Sequence, residues 1–192
     1  RASPVDYQKF PVETAIANSV GTHNILKIAL EKYCPVLYTS TSEIYGEPKE
    51  HPQKETYWGN VNSIGPRSCY DESKRFSESL LMAYNRQHKV NIKIARIFNT
   101  YGPRLRPGDG RVISNFVMQC LKHDPITIFG KGTQTRSFCY VNDMVDGLVK
   151  MMQSQHMGPI NLGNSQETSI LELAKRIKKL TNSRSEIIFK EL

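Results

Sequence analysis

The chain reads as an α/β protein built on a doubly wound parallel sheet with helices on both faces. Three observations predict this. Segments with helical apolar spacing alternate with short apolar runs, in the order helix, strand, loop, helix, strand. A cluster of small polar residues and one carboxylate, Ser40-Thr41-Ser42-Glu43, stands directly after one of those runs, and ligands of open α/β sheets sit at the carboxyl ends of strands. The hydrophobic fraction, 39%, is ordinary for a globular protein, and 192 residues suffice for a substantial core.

Residues 12–32 carry Val12, Ala15, Ile16, Val20, Ile25, Ile28 and Ala29 at roughly helical spacing, with Pro11 suited to a first-turn position. Pro35 ends this segment, and Val36-Leu37-Tyr38-Thr39 is a short run typical of a buried strand. Residues 47–69 form a polar loop with Pro48, Pro52, Gly59, Gly65 and Pro66, and a loop of that length inside a domain points to function or disorder. A helix follows over residues 69–88, with Phe76, Leu80, Leu81 and Tyr84 on one side. Residues 91–98 alternate as a strand, Lys93 and Arg96 lying between Ile92, Ile94 and Ile97. Residues 111–122 are amphipathic and helical. Short strands are expected over 126–129 and 135–141, around Gly130-Lys131-Gly132. Asn142 is placed to cap a helix reaching Gln153, and 160–162 is a further short strand. Ser169-Ile170-Leu171-Glu172 is a capping box opening a helix whose inward residues are Ile170, Leu173, Ala174, Ile177 and Leu180.

Formal charge is 26 − 18 = +8. The Lys and Arg residues are scattered, without the basic stripe and interleaved aromatics of a nucleic-acid surface. A site for an anionic small molecule fits better, the remaining charge aiding solubility. No apolar run approaches membrane-spanning length. Cys34, Cys69, Cys120 and Cys139 lack metal-ligand spacing and fall in or beside apolar segments, so four buried thiols in a reducing compartment are expected.

The most informative stretch is Tyr70-Asp71-Glu72-Ser73-Lys74. A Tyr and a Lys four apart share one helix face, and an ammonium near a phenol favours the phenolate, which can then act as a base. Alone, Tyr-x-x-x-Lys is weak. With Ser40 to Gly46 upstream, and with Tyr57-Trp58-Gly59, Ile64-Gly65-Pro66-Arg67, Arg96 to Arg104, Asp109 to Asn115 and Gln134-Thr135-Arg136, the chain resembles the extended short-chain dehydrogenase/reductases. Within that superfamily it is similar to the UDP-glucuronate decarboxylases (UDP-xylose synthases) from about Ser3 to Leu180.

The resemblance implies the C-terminal part of an NAD(P)-binding Rossmann-type domain over residues 1–104, and mainly a small α/β substrate-binding lobe, interleaved with it, over 105–192. It implies NAD as cofactor and decarboxylation of a UDP-sugar, UDP-glucuronate, through a 4-keto intermediate. Thr41, Ser42, Glu43, Tyr70 and Lys74 would be catalytic, Tyr70 and Lys74 also holding the nicotinamide ribose. Asn99 would meet the diphosphate, Arg111 and Arg136 the phosphates or ribose, and Phe129 would pack near uracil. Ser42 stands where related 4,6-dehydratases often carry Asp, which favours decarboxylation. A 4,6-dehydratase, a 4-epimerase and a catalytically silent homologue stay open, as does release of either UDP-xylose or the 4-keto pentose. In Asn18-Ser19-Val20-Gly21-Thr22 the family's preceding Thr is replaced by Ala17. A homodimer through the helices 12–32 and 69–88 is implied. No Gly-x-x-Gly-x-x-Gly or Gly-x-Gly-x-x-Gly occurs, so the chain is expected to be a portion of a longer enzyme, inactive alone. The compartment expected is the cytoplasm, or the Golgi lumen if an N-terminal anchor exists.

Overall fold

The computed structural model describes residues 2–191. In chain order its elements are α1 (Pro4–Lys9), α2 (Pro11–Lys32), β1 (Val36–Thr41), a 3₁₀ turn (Ser42–Tyr45), α3 (Ser68–His88), β2 (Ile92–Ile97), β3 (Thr100–Tyr101), α4 (Val112–Lys122), β4 (Ile126–Phe129), β5 (Thr135–Ser137), β6 (Cys139–Tyr140), α5 (Val141–Gln153), β7 (Ile160–Leu162), β8 (Glu167–Ser169), α6 (Ile170–Leu180) and β9 (Ile187–Lys190). Two compact units emerge: the residues up to Phe98 with Asn142–Leu162, and Asn99–Val141 with the residues from Gly163 onward.

The first unit is a parallel sheet in the order β1-β2-β7, with Thr41 opposite Ile97 and Ile97 opposite Leu162. Leu26 and Ala29 of α2, Leu81 of α3 and Val90, Ile92 and Ile94 form its core. The strand expected over 91–98 is β2, and its alternation does not carry into burial: Ile92 to Arg96 are all buried. Parallel strands covered on both faces bury every position, and the two charges are met inside. Lys93 Nζ donates to the Ser154 carbonyl at 2.8 Å, just past the end of α5, and Arg96 pairs with Glu78 at 2.7 Å.

Helix α2 ends where Tyr33 turns left-handed (φ 52°). Cys34 follows that turn and is exposed, so the expectation of four buried thiols fails there; Cys69 is half-buried, and Cys120 and Cys139 are buried. The seam between α2 and α3 is polar: Asn18 Nδ2 donates to Ser73 Oγ at 2.9 Å, and Ser77 Oγ donates to the Asn18 carbonyl at 2.7 Å. Val12, Ile16, Val20, Ile25 and Ile28 are instead each half or more exposed.

In the second unit β4 pairs in parallel with β9, and β5 runs antiparallel to β8. The expected strand 135–141 is therefore two strands, for β6 pairs with β3. Asn142 lies inside the first turn of α5, which begins at Val141. Phe116, Cys120, Ile126, Ile128, Ile170, Leu173, Ala174 and Ile177 make the core. The capping box closes as expected: Ser169 Oγ accepts the Glu172 N–H at 3.2 Å, and Glu172 Oε2 accepts the Ser169 N–H at 3.1 Å. Leu180, expected inward, is exposed in the last turn of α6. Among the described residues no helix is long and apolar enough to cross a membrane.

Candidate active site

Strand β1 delivers Thr41, buried, to its carboxyl end. The Thr41 hydroxyl accepts the Glu43 N–H at 3.2 Å, a local bond that turns the chain out of the sheet and starts the 3₁₀ turn. Ser42 opens that turn and Glu43 follows it, both half-buried. Gly46 closes it at φ +63°, where a Cβ would stand 2.1 Å from the Asn60 carbonyl oxygen, so the returning loop requires glycine. Loop and turn are laced together: the Asn60 N–H donates to the Tyr45 carbonyl at 2.8 Å, and Arg75 Nη1 donates to the carbonyls of Ile44 and Trp58 at 2.8 and 2.7 Å.

Tyr70 lies in the first turn of α3 and is buried. Its ring stacks on Tyr7 of α1, centroids 5.0 Å apart and planes 11° from parallel. Lys74, one turn on, donates from Nζ to the Thr39 carbonyl at 2.9 Å. That ammonium is 5.8 Å from the Tyr70 ring centroid and 4.7 Å from that of Tyr38. Burial pushes the Lys74 pKa down to about 8, the Glu78 carboxylate opposing. Lys74 thus ties α3 to β1 beside Tyr70.

A second tie joins the turn to α3. Arg67, the residue before the helix, forms an ion pair through Nη2 with Glu43 Oε2, and its Nε lies 3.9 Å from Asp71 Oδ2. Asp71 is buried, and its Oδ1 has no hydrogen-bond partner among the described residues. Burial pushes its pKa up to about 6, Arg67 pulling the other way and Glu43 adding to the rise. These groups line a cleft of about 420 Å³ with Gly46, Asn60 and Asn62.

Tyr7, Arg67 and Asp71 had no assigned part in the sequence reading. The spacing of Arg67 three and four residues before Tyr70 and Asp71 was the available signal. Behind the turn, Arg96 Nη1 donates to Tyr45 Oη at 2.9 Å, and Tyr45 Oη donates to Asn161 Oδ1 at 2.7 Å, fixing the turn to β2 and β7.

The remaining expected residues belong to the second unit. The Asn99 carbonyl accepts the Cys139 N–H at 2.9 Å and its residue is exposed. Arg111 stands at the residue before α4, its Nε 3.1 Å from the buried Asp109 carboxylate. Phe129, at the end of β4, is exposed, and Arg136 of β5 is exposed with Nη1 donating to the Thr135 carbonyl at 2.8 Å.

Residues 1–163 match the model of the NAD dependent epimerase/dehydratase family. The chain is 55% identical to UDP-glucuronic acid decarboxylase 3 of Arabidopsis thaliana, over 97% of this chain and 54% of that protein. It spans about half the length of the curated relatives it matches. Among solved structures, UDP-glucose 4-epimerase of Thermotoga maritima with UDP-glucose superposes with TM-score 0.89 at 27% identity, over 100% of this chain and 62% of that one. UDP-glucuronic acid 4-epimerase of Bacillus cereus in complex with NAD gives TM-score 0.80 at 29% identity, over 91% and 56%.

Proposed function

The chain belongs to the NAD dependent epimerase/dehydratase family, and from that premise we propose that it carries the acid–base groups of a UDP-glucuronate decarboxylase that forms UDP-xylose through a 4-keto sugar. The observation that carries this reading is the pair of ties, Lys74 to Thr39 and Glu43 to Arg67, which set Tyr70 and Glu43 at one strand end. The 55% identity to a named decarboxylase supports that subclass over the epimerases, which are at 27% and 29%.

Direct loss of CO₂ from the sugar would leave an unstabilised carbanion at C5. A ketone at C4 makes the substrate a β-keto acid, and the electron pair of the breaking bond enters an enolate. NAD, when bound, supplies the hydride acceptor for making that ketone and the donor for undoing it. A half-buried ammonium one helical turn from a buried Tyr, at the carboxyl end of a parallel strand, suits the ribose of such a cofactor. Tyr70 takes the C4 hydroxyl proton and later returns it. Lys74 favours the phenolate while it remains an ammonium, and Thr41 donates to the C4 oxygen. Glu43 takes up one proton from solvent and passes it on to C5, so the substrate carboxylate leaves as CO₂ and a solvent proton takes its place at C5.

Asn99, Arg111 and Arg136 serve the diphosphate and ribose, with Phe129 against the base. The exposed apolar side chains Val12, Ile16, Val20 and Phe76 support a homodimer through α2 and α3. The exposed Cys34 thiol suits the reducing cytoplasm. The test is incubation of the full-length protein with UDP-glucuronate and NAD, followed by product mass. Loss of CO₂ is expected; a product of unchanged mass would make it an epimerase, and loss of water a dehydratase.

A further inference from the structure

Arg67 lines the cleft beside Glu43 and has no part in the proposed proton and hydride transfers. Arg67 stands directly before α3, so its backbone is one helical turn from Tyr70. Its guanidinium reaches across to Glu43 on the 3₁₀ turn and lies 3.9 Å from Asp71, one turn along its own helix. Of the three side chains, Asp71 is the most buried, at 10% exposure against 46% for Arg67 and 38% for Glu43, and forms the fixed end of the chain of charges. The loop that brings Arg67 here is held to the same turn by Arg75 and by the Asn60–Tyr45 bond.

We infer that Arg67 is a positioning residue: it holds the Glu43 carboxylate at a set place relative to Tyr70, so that the groups serving C4 and C5 sit on one frame. The inference rests on the decarboxylase reading, in which Glu43 acts at C5. A guanidinium suits this task because its planar fork fixes direction as well as distance, which a lysine ammonium does not. Removing it leaves the carboxylate present but free to swing, and a misplacement of about 1 Å can lower a rate on the order of 10²-fold. Oxidation at C4, which uses Thr41, Tyr70 and Lys74, needs no such hold.

The experiment uses the full-length protein with UDP-glucuronate and NAD, and follows two quantities: formation of 4-keto sugar in a single turnover, and deuterium entering C5 in heavy water. Arg67→Gln should leave the first within about twofold and lower the second by roughly 10–100-fold. Arg67→Lys should recover part of that loss, by restoring charge without the fork. In a Glu43→Gln background the Arg67→Gln effect should vanish, because the two residues act through one carboxylate. Equal losses in both quantities, or losses that add in the double variant, would reduce Arg67 to a structural role and overturn the inference. A wild-type protein that releases no CO₂ would remove the decarboxylase reading, and the inference with it.

Discussion

The two units use their interiors differently. In the first, Asp71, Lys93 and Arg96 are buried among the strands and helices that surround the 3₁₀ turn. In the second, the cluster of Phe116, Ile126, Ile128, Ile170, Leu173 and Ile177 is apolar throughout. A buried ion costs stability unless it is paired, whereas apolar burial is favourable in itself. The first unit meets that cost with specific partners at two sites, Lys93 with the Ser154 carbonyl and Arg96 with Glu78, while at Asp71 burial outweighs the nearby Arg67. What this returns is position, since each partner fixes a strand end, the 3₁₀ turn or the start of α3. The second unit relies more on shape, its buried charge being Asp109, 3.1 Å from Arg111 Nε.

Substitutions in the two regions should therefore differ in kind. The largest effect is expected at Tyr70. Tyr70→Phe keeps the stack on Tyr7 and should leave the urea midpoint in place while lowering turnover by ~10²–10⁴-fold. Near-normal turnover would break the contrast at its functional end. In the second unit, Ile128 is wholly buried, and Ile128→Ala should destabilise by about 2–5 kcal/mol, read in urea, with the pH profile of the remaining activity unmoved. A displaced profile would mean that the apolar core also tunes the chemistry.

Lys74→Met comes next. Without the ammonium the Tyr70 phenol loses a charge that favours its ionised form, so the rise of activity with pH should move to higher pH by about one unit or more. In the wild type that help fades as Lys74 itself deprotonates through about 8. An unmoved profile would uncouple the two residues.

The smallest effect is expected at Asp71, and its sign follows from linkage. Burial raises this carboxyl from 3.8 to about 6, so between those values the folded protein holds a proton that the unfolded chain has lost. Stability should fall as pH rises through that window. Asp71→Asn should remove the slope and be more stable than wild type at neutral pH, by on the order of 2 kcal/mol, with the gap closing below about pH 4. An Asn variant weaker at neutral pH would mean that the pairing with Arg67 outweighs burial.

How much of this was legible in the chain follows the range of the interactions. Helices α2 and α3, strand β1 and the α6 capping box depend on neighbours within a few residues, and periodicity or spacing exposes them. Tyr70 and Lys74 declare themselves because four residues make one helical turn. The burial of Lys93 was not legible, because its partner Ser154 lies 61 residues away and an isolated Lys among isoleucines looks like the polar face of a strand. Tyr7, 63 residues before the ring it stacks on, sits in a six-residue helix too short to leave a periodic trace. Strands β8 and β9, of three and four residues, are similarly hidden and exist through their partners β5 and β4.

The division of labour between C4 and C5 is read most directly by running the full-length protein on UDP-glucuronate and NAD in heavy water and locating the label. If Glu43 serves C5 while Thr41, Tyr70 and Lys74 serve C4, the product is a UDP-pentose bearing one deuterium at C5, formed with one CO₂. A UDP-hexuronate recovered with its carboxylate intact, no deuterium at C5 and an inverted C4 would contradict the account and make the same frame an epimerase.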